Sequence, residues 1–350
     1  MADPGADGYG IVGCGNIARF HFGALEAAGA RVVHIADINE QAARPWVDRT
    51  RARFSTDYRR LIDDARVTVV SVLSSARSHA AICSAALAAG KDVICEKTMG
   101  ATLPDAAAIH AAARASGRLF FTAYMKRFFP AARAARDLLP SLGRICSAQV
   151  RAYQNWGDDF HSLADASKFA HVLENYGGAV LKCAGSHMLD MTMHLLGRPA
   201  SVLASIDHVP GSLFDRRASA VFELPGGAAV QFETCLHSLG RIGMERNGWE
   251  EWIEITGTRG RLKLSTVLWD HPLNNGLLLE HYDEAAGTVH EHRFPPVNPF
   301  DLEMAAFHQA ISARTRMAPS EDDGYAVDSL IHAIETSARE GKRVVPDFRG

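Results

Sequence analysis

A run of β-forming residues, Tyr9-Gly10-Ile11-Val12, enters the turn Gly13-Cys14-Gly15-Asn16 and leaves it into an apolar helix predicted over Ile17 to Ala28. In a G-x-G-x-x-G/A turn between strand and helix, the first glycine makes the bend and the second lets backbone approach a pyrophosphate. A small third residue lets the helix lie close on the strand. Gly13, Gly15 and Ala18 take those places, and Asn16 and Ile17 open the helix, whose free N–H groups and dipole favour phosphate. A second strand, Arg31 to Ala36, ends at Asp37, about 20 residues past the glycines, where a carboxylate meets adenosine ribose hydroxyls. That carboxylate repels a 2′-phosphate, and Ile38 and Asn39 follow it rather than an arginine, so the predicted cofactor is NAD and not NADP.

Strand and helix patterns keep alternating as far as residue 123. A helical stretch from Ala42 to Arg51 is interrupted by Pro45, and a second is predicted from Asp57 to Ala65. The apolar strand Val67 to Leu73 ends at Ser74, at the carboxyl edge where open α/β sheets bind ligands. Helix His79 to Ala89 closes at Gly90, strand Asp92 to Cys95 delivers Glu96 and Lys97 to the same edge, helix Thr102 to Ser116 follows, and Leu119 to Tyr124 is the last strand. Such alternation implies a parallel sheet with right-handed crossovers, hence a doubly wound Rossmann domain over residues 1–123.

Beyond it the pattern changes. After a helix from Pro130 to Leu139, short runs with polar alternation begin at Ile145, Ala200, Ser219, Ala228, Glu251 and Arg261. Pro225-Gly226-Gly227 and Gly257-Thr258-Arg259-Gly260 read as hairpin turns. Residues 124–350 are therefore expected to form an α+β domain for substrate binding and oligomerisation, with an open, mainly antiparallel sheet. Its free face predicts a homodimer or homotetramer. Helices over Asn298–Arg316 and Gly324–Glu340 close the chain, the last expected to pack back toward the N-terminal domain.

The chain's 350 residues suffice for two cores, and a net charge of −3 with no basic run argues against nucleic acid or an anionic membrane as partner. No apolar run approaches the ~20 residues of a spanning helix. Residues 1–8 lack the apolar core of an export signal, and the six cysteines are scattered without a C-x-x-C pair, so a reducing cytoplasm is expected.

Three segments, Gly10 to Ala18, Gly90 to Lys97 and Gly177 to Asp190, with the late turn Gly257 to Leu262, resemble the Gfo/Idh/MocA family of nicotinamide-dependent sugar and cyclitol oxidoreductases. The resemblance implies a carbohydrate or cyclitol substrate, a lysine at Lys97 and a histidine at His187 in the chemistry. Two departures stand out. Thr98 replaces the proline of the usual Glu-Lys-Pro, so the often-cis proline bond is not available, and Cys183 stands where many members carry an aspartate four residues before the histidine. Tyr124-Met125-Lys126-Arg127 falls where the family connects its domains.

Oxidising a secondary alcohol needs a hydride acceptor and a base for the hydroxyl proton. His187 is expected as acid/base and Lys97 as the polarising group, their roles being exchangeable. Glu96 joins Lys97 and Ser74 among the cofactor-binding candidates. Ala179 to Leu196 reads as one helix, placing Cys183, His187, Asp190 and His194 on one face, with Asp190 orienting His187, capping, or pairing with Arg198. A zinc site of Cys183, His187 and Asp190 is disfavoured for want of further ligands, so no metal is expected. The polar and aromatic stretch Gln154 to Tyr176, with Asn155, Trp156, Asp158, Asp159, His161, Lys168, His171, Glu174, Asn175 and Tyr176, suits a sugar. Lys97, Tyr124, Asn155, Trp156, Cys183 and His187 are the substrate-binding candidates. The leading expectation is an NAD-dependent dehydrogenase acting on a ring hydroxyl of a sugar, cyclitol or glycoside. An NAD-dependent glycosidase working by transient oxidation and elimination, and a non-catalytic NAD- and sugar-binding regulator, stand as alternatives.

Overall fold

The computed structural model describes residues 7–157, 166–268 and 277–349. These divide into two units, one from residues within Met1–Met125 and Phe300–Asp328, the other from those within Lys126–Pro299 and Ser329–Arg349. Asp158, Asp159 and His161 lie outside the described residues, as do the side chains of Lys168 and His171.

The first unit is built on strands β1 (Gly8–Val12), β2 (Arg31–Ala36), β3 (Arg53–Ser55), β4 (Val69–Val72), β5 (Asp92–Glu96) and β6 (Phe120–Ala123), all parallel, in the order β3-β2-β1-β4-β5-β6. Order and direction are those of a doubly wound dinucleotide fold whose strand order reverses between β1 and β4. Helices α1 (Ala18–Ala27), α2 (Glu40–Thr50), α3 (Tyr58–Ile62), α4 (Ala76–Ala88) and α5 (Leu103–Ser116) make the crossovers. Thr102 caps α5, exchanging hydrogen bonds with Asp105 in a capping box. Pro45 does not interrupt α2: Pro45 and Gln41, whose carbonyl loses its donor, are both exposed, so water can serve that oxygen.

Two later stretches complete this unit, from α9 (Pro299–Ser312) and the start of α10 (Glu321–Glu340). Thr122 donates its N–H to Pro319 O at 3.1 Å, and Phe121 stacks on Phe307 with ring centroids 4.8 Å apart. Gly324 lies so close to β6 that a Cβ there would stand 2.4 Å from Thr122 Oγ1.

The second unit carries α6 (Pro130–Leu138), β7 (Ile145–Asn155), α7 (Ala166–Tyr176), α8 (Ser186–Leu196) and strands β8 (Ser201–His208), β9 (Asp215–Glu223), β10 (Ala229–His237), β11 (Trp249–Gly257), β12 (Gly260–Thr266), β13 (Leu278–Asp283) and β14 (Thr288–Arg293). The sheet runs β14-β13-β12-β11-β7-β10-β9-β8, antiparallel except where β7 and β10 pair in parallel. Both hairpin turns join the strands expected, β9 to β10 and β11 to β12. Burial alternates along β7 and β10, with Ala148, Val150, Ala152, Val230, Phe232 and Leu236 facing inward.

Candidate active site

Gly13 sits at φ +99°, and a Cβ on it would stand 2.7 Å from Leu73 C and Ser74 N, so only glycine lets the turn lie against the end of β4. Gly15 differs: nothing lies within 4 Å of where its Cβ would be. No side chain caps the first turn of α1. The Cys14 N–H donates to Asp37 Oδ2 at 2.6 Å and the Asn39 N–H to Oδ1 at 2.7 Å, so the carboxylate closing β2 is fixed beside the turn. Burial, with the charge of Asp37, pushes the Cys14 thiol up to about 12, which keeps that sulfur protonated and uncharged. An open glycine, uncapped helix N–H groups and an anchored acid are what an adenine dinucleotide requires, and these residues fit it.

The end of β5 is braced from two directions. Glu96 accepts from His21 Nε2 at 2.8 Å on one oxygen and from the Lys97 N–H at 2.9 Å on the other. Although burial raises the Glu96 carboxyl, the His21 bond and the Lys97 charge outweigh it and hold it below the usual carboxylate range. Glu96 thereby ties Lys97 to the helix that follows the glycine turn. Lys97 is half-buried, and the Lys97–Thr98 peptide bond is cis although residue 98 is not proline, contrary to the sequence expectation. His79, fully enclosed, bridges two candidate loops: Nε2 lies 2.9 Å from Ser74 O, and Nδ1 3.1 Å from Thr98 O and 3.4 Å from Cys95 Sγ. Burial lowers its pKa against the pull of these carbonyls and favours the neutral ring, which donates from one nitrogen only.

In the second unit the expected single helix is broken in register. Residues Leu181–Gly185 wind as a wide π turn before α8 begins, so Cys183 and His187 are not related by a plain α-helical repeat. Gly185 lets this turn lie close on β10, since a Cβ there would stand 3.3 Å from Thr234 Cγ2 and 3.4 Å from the Phe232 ring. Asp215, buried, anchors the start by accepting the Ala179 and Leu181 N–H groups at 2.7 Å each. His187 is buried at 8% exposure and Cys183 half-buried. Asp190 is wholly buried and binds Arg127, with Nε donating at 2.8 Å and Nη2 to the other oxygen. Of the readings the sequence leaves open for Asp190, pairing with Arg198 gives way to this one, and Arg198 lies over the Phe348 ring, 5.4 Å from its centroid.

Asn155 ends β7 and Trp156 follows it, Asn155 accepting the Gly157 N–H at 2.8 Å and Trp156 donating its indole N–H to Gln154 Oε1 at 2.8 Å. Tyr124 is fully buried in the first unit; Glu174 and Tyr176 are exposed on α7, with Asn175 half-buried between them. Sequence reasoning missed His21, His79, Asp215, the Gln154 amide's part in the site, and the pairing of Lys126 with Glu251 and of Arg127 with Asp190. One signal was available, since two cations in the otherwise apolar run Phe120 to Phe129 require buried partners.

Family models match both parts of the chain: the oxidoreductase family with an NAD-binding Rossmann fold over residues 8–124, and the Gfo/Idh/MocA C-terminal domain over residues 133–263. Among curated relatives, 1,5-anhydro-D-fructose reductase of Ensifer adhaerens is 27% identical, covering 90% of this chain and 91% of its own. Inositol 2-dehydrogenase 2 of Saccharopolyspora erythraea is 26% identical over 96% of each, and levoglucosan dehydrogenase of Pseudarthrobacter phenanthrenivorans 29% identical over 90% of this chain and 89% of its own. Among solved structures, an oxidoreductase domain protein from Kribbella flavida superposes with a TM-score of 0.85 at 24% identity, covering 98% of this chain and 99% of that one. A levoglucosan dehydrogenase in complex with NADH and levoglucosan gives 0.84 at 22% identity, covering 97% and 99%. Among the described residues, no helix is long and apolar enough to cross a membrane.

Proposed function

The chain belongs to the Gfo/Idh/MocA family of NAD-binding oxidoreductases, and on that footing we propose that it moves a hydride between NAD and a secondary ring hydroxyl of a sugar, cyclitol or glycoside. The observation that carries the cofactor half is the anchored Asp37 carboxylate beside an open Gly15. The substrate half is supported by the relatives' names, since anhydrofructose, inositol and levoglucosan are all polyhydroxylated rings.

Bound NAD supplies the hydride acceptor. Gly13, Gly15, Asn16, Ile17, Asp37, Ser74 and Glu96 are proposed to hold it. Lys97, its backbone fixed by Glu96, donates a hydrogen bond to the reacting oxygen and stabilises the negative charge developing there. His187 takes the hydroxyl proton and returns it in the reverse direction, since an imidazole exchanges protons near neutrality. Tyr124, Asn155, Trp156 and Cys183 are assigned to substrate binding.

The unit built on the second sheet is assigned substrate binding and oligomerisation. Its outward face carries half-buried Tyr153 and Trp252 under Arg151 and Lys263, with exposed Leu203 and Val221, a surface suited to a second copy in a homodimer or homotetramer in the cytoplasm. The test is a panel of levoglucosan, myo-inositol and D-xylose with NAD or NADP, read by NADH or NADPH absorbance, alongside calorimetric titration of NAD. NAD binding with turnover of at least one ring polyol, and a preference for NAD that Asp37→Ala loosens, is the expected result. Absence of NAD binding would overturn the reading.

A further inference from the structure

Lys126 and Glu251 form an ion pair inside the second unit, with only 2% and 1% of their surfaces exposed. Removing two charges from water is costly, and their mutual attraction restores little beyond that cost. The pair is wired at both ends. Glu251 Oε1 accepts from Gln154 Nε2 at 2.8 Å, and Gln154 Oε1 accepts the Trp156 indole N–H at 2.8 Å. At the far end Lys126 Nζ lies 3.9 Å from the sulfur of Met188, the chain neighbour of His187 in α8.

The donors and acceptors allow one order. A carboxylate only accepts and an indole N–H only donates, so the Gln154 amide must turn its NH2 to Glu251 and its oxygen to Trp156. The χ2 torsion of an aromatic side chain is broad and roughly two-fold. A hydrogen bond at Nε1 therefore selects one orientation of the indole plane.

We propose that Gln154 and Glu251 are positioning residues for the substrate platform: the Glu251 charge fixes the Gln154 amide, which sets the plane of the Trp156 indole on which the C–H face of a carbohydrate ring stacks. This rests on Trp156 as a substrate-binding residue. The buried pair thereby joins the platform to the helix bearing His187, and its loss weakens substrate binding more than the chemical step.

The test uses the full chain with 15N-labelled tryptophan, whose five indole N–H resonances include one that Trp156→Phe removes and so identifies. Gln154→Met shifts that resonance, and Trp249, opposite residue 154 on β11, serves as the second reporter of the same change. Glu251→Gln shifts it as well although Glu251 bonds Gln154 rather than the indole N–H, and the double variant Gln154→Glu with Glu251→Gln restores it, because the new carboxylate accepts from both the indole and the new amide. A Trp156 resonance unmoved in folded Glu251→Gln overturns the inference, and this arm needs no substrate. In turnover of levoglucosan or myo-inositol, Gln154→Met raises KM about threefold to tenfold, the worth of one neutral hydrogen bond, with kcat changed less than about twofold. In a Trp156→Phe background the same change adds nothing, and additive effects would refute action through Trp156. Should Trp156→Ala leave KM unchanged, the substrate reading of Trp156 fails and takes this inference with it.

Discussion

Replacing either glycine of the dinucleotide turn by alanine should separate folding from cofactor binding. At Gly15 the added methyl meets nothing within 4 Å, and alanine trims unfolded-state entropy by about 0.4–1 kcal/mol, so the unliganded protein keeps or slightly gains stability. At Gly13 the methyl meets backbone atoms at 2.7 Å and the residue sits at φ +99°. Strain of about 1–3 kcal/mol and overpacking of about 1–3 kcal/mol sum to roughly 2–6 kcal/mol, which lowers Tm by roughly 5–20 °C for a unit of this size. Binding inverts the ranking. At NADH near one hundred times its Kd the wild type gains about 2.7 kcal/mol, which Gly15→Ala forfeits if the backbone there must meet phosphate. Differential scanning calorimetry with and without NADH, with calorimetric titration for Kd, measures both. A destabilised unliganded Gly15→Ala, or one binding NADH as wild type does, would refute the reasoning.

Lys97→Ala and His187→Ala should each lower kcat by ~10²-fold or more with NAD affinity unchanged, checked by steady-state kinetics and titration. Asp190→Asn should cost up to about 3–5 kcal/mol in urea unfolding because it takes one carboxylate charge from a buried, doubly hydrogen-bonded pair with Arg127, whereas Arg127→Met with Asp190→Leu should recover part of that. His79 has its folded pKa below the ordinary imidazole value of about 6.5, so its stabilising contribution is complete above that pH and is lost as the pH falls, where the unfolded chain binds the extra proton. Stability against pH should therefore fall by up to about 1.4 kcal/mol per unit more steeply in the wild type than in His79→Gln below pH ~6.5, and equal slopes would refute a neutral buried ring.

Local signals carried the first unit into the sequence reading. The turn from Gly13 to Ala18 and the β/α alternation depend on neighbours within a few residues, and the hairpin glycines are equally local. Strand β14 escaped because every residue of Thr288–Arg293 is exposed, leaving no apolar alternation, and β3 is three residues long. The π turn at Leu181–Gly185 packs on β10 at Gly185, and its start is held by Asp215 thirty-odd residues away, neither of which is written in the local sequence. Lys126 and Arg127 looked like a connecting segment, because their partners Glu251 and Asp190 stand 125 and 63 residues further along the chain. Carboxylate and cation positions are legible one at a time; their pairing is a property of the fold.

The edge strand β6 has a history in synthesis. Its bridge to Ser320, the Phe121–Phe307 stack and the seat of Gly324 all come from Phe300–Asp328, so a nascent chain that has just released Met125 from the ribosome leaves that edge bare. At ~5–20 residues per second the covering segment arrives roughly 10–40 s later. Through that interval the nucleotide-binding unit is a template for strand addition by other chains, and its final closure waits on translation through Asp328.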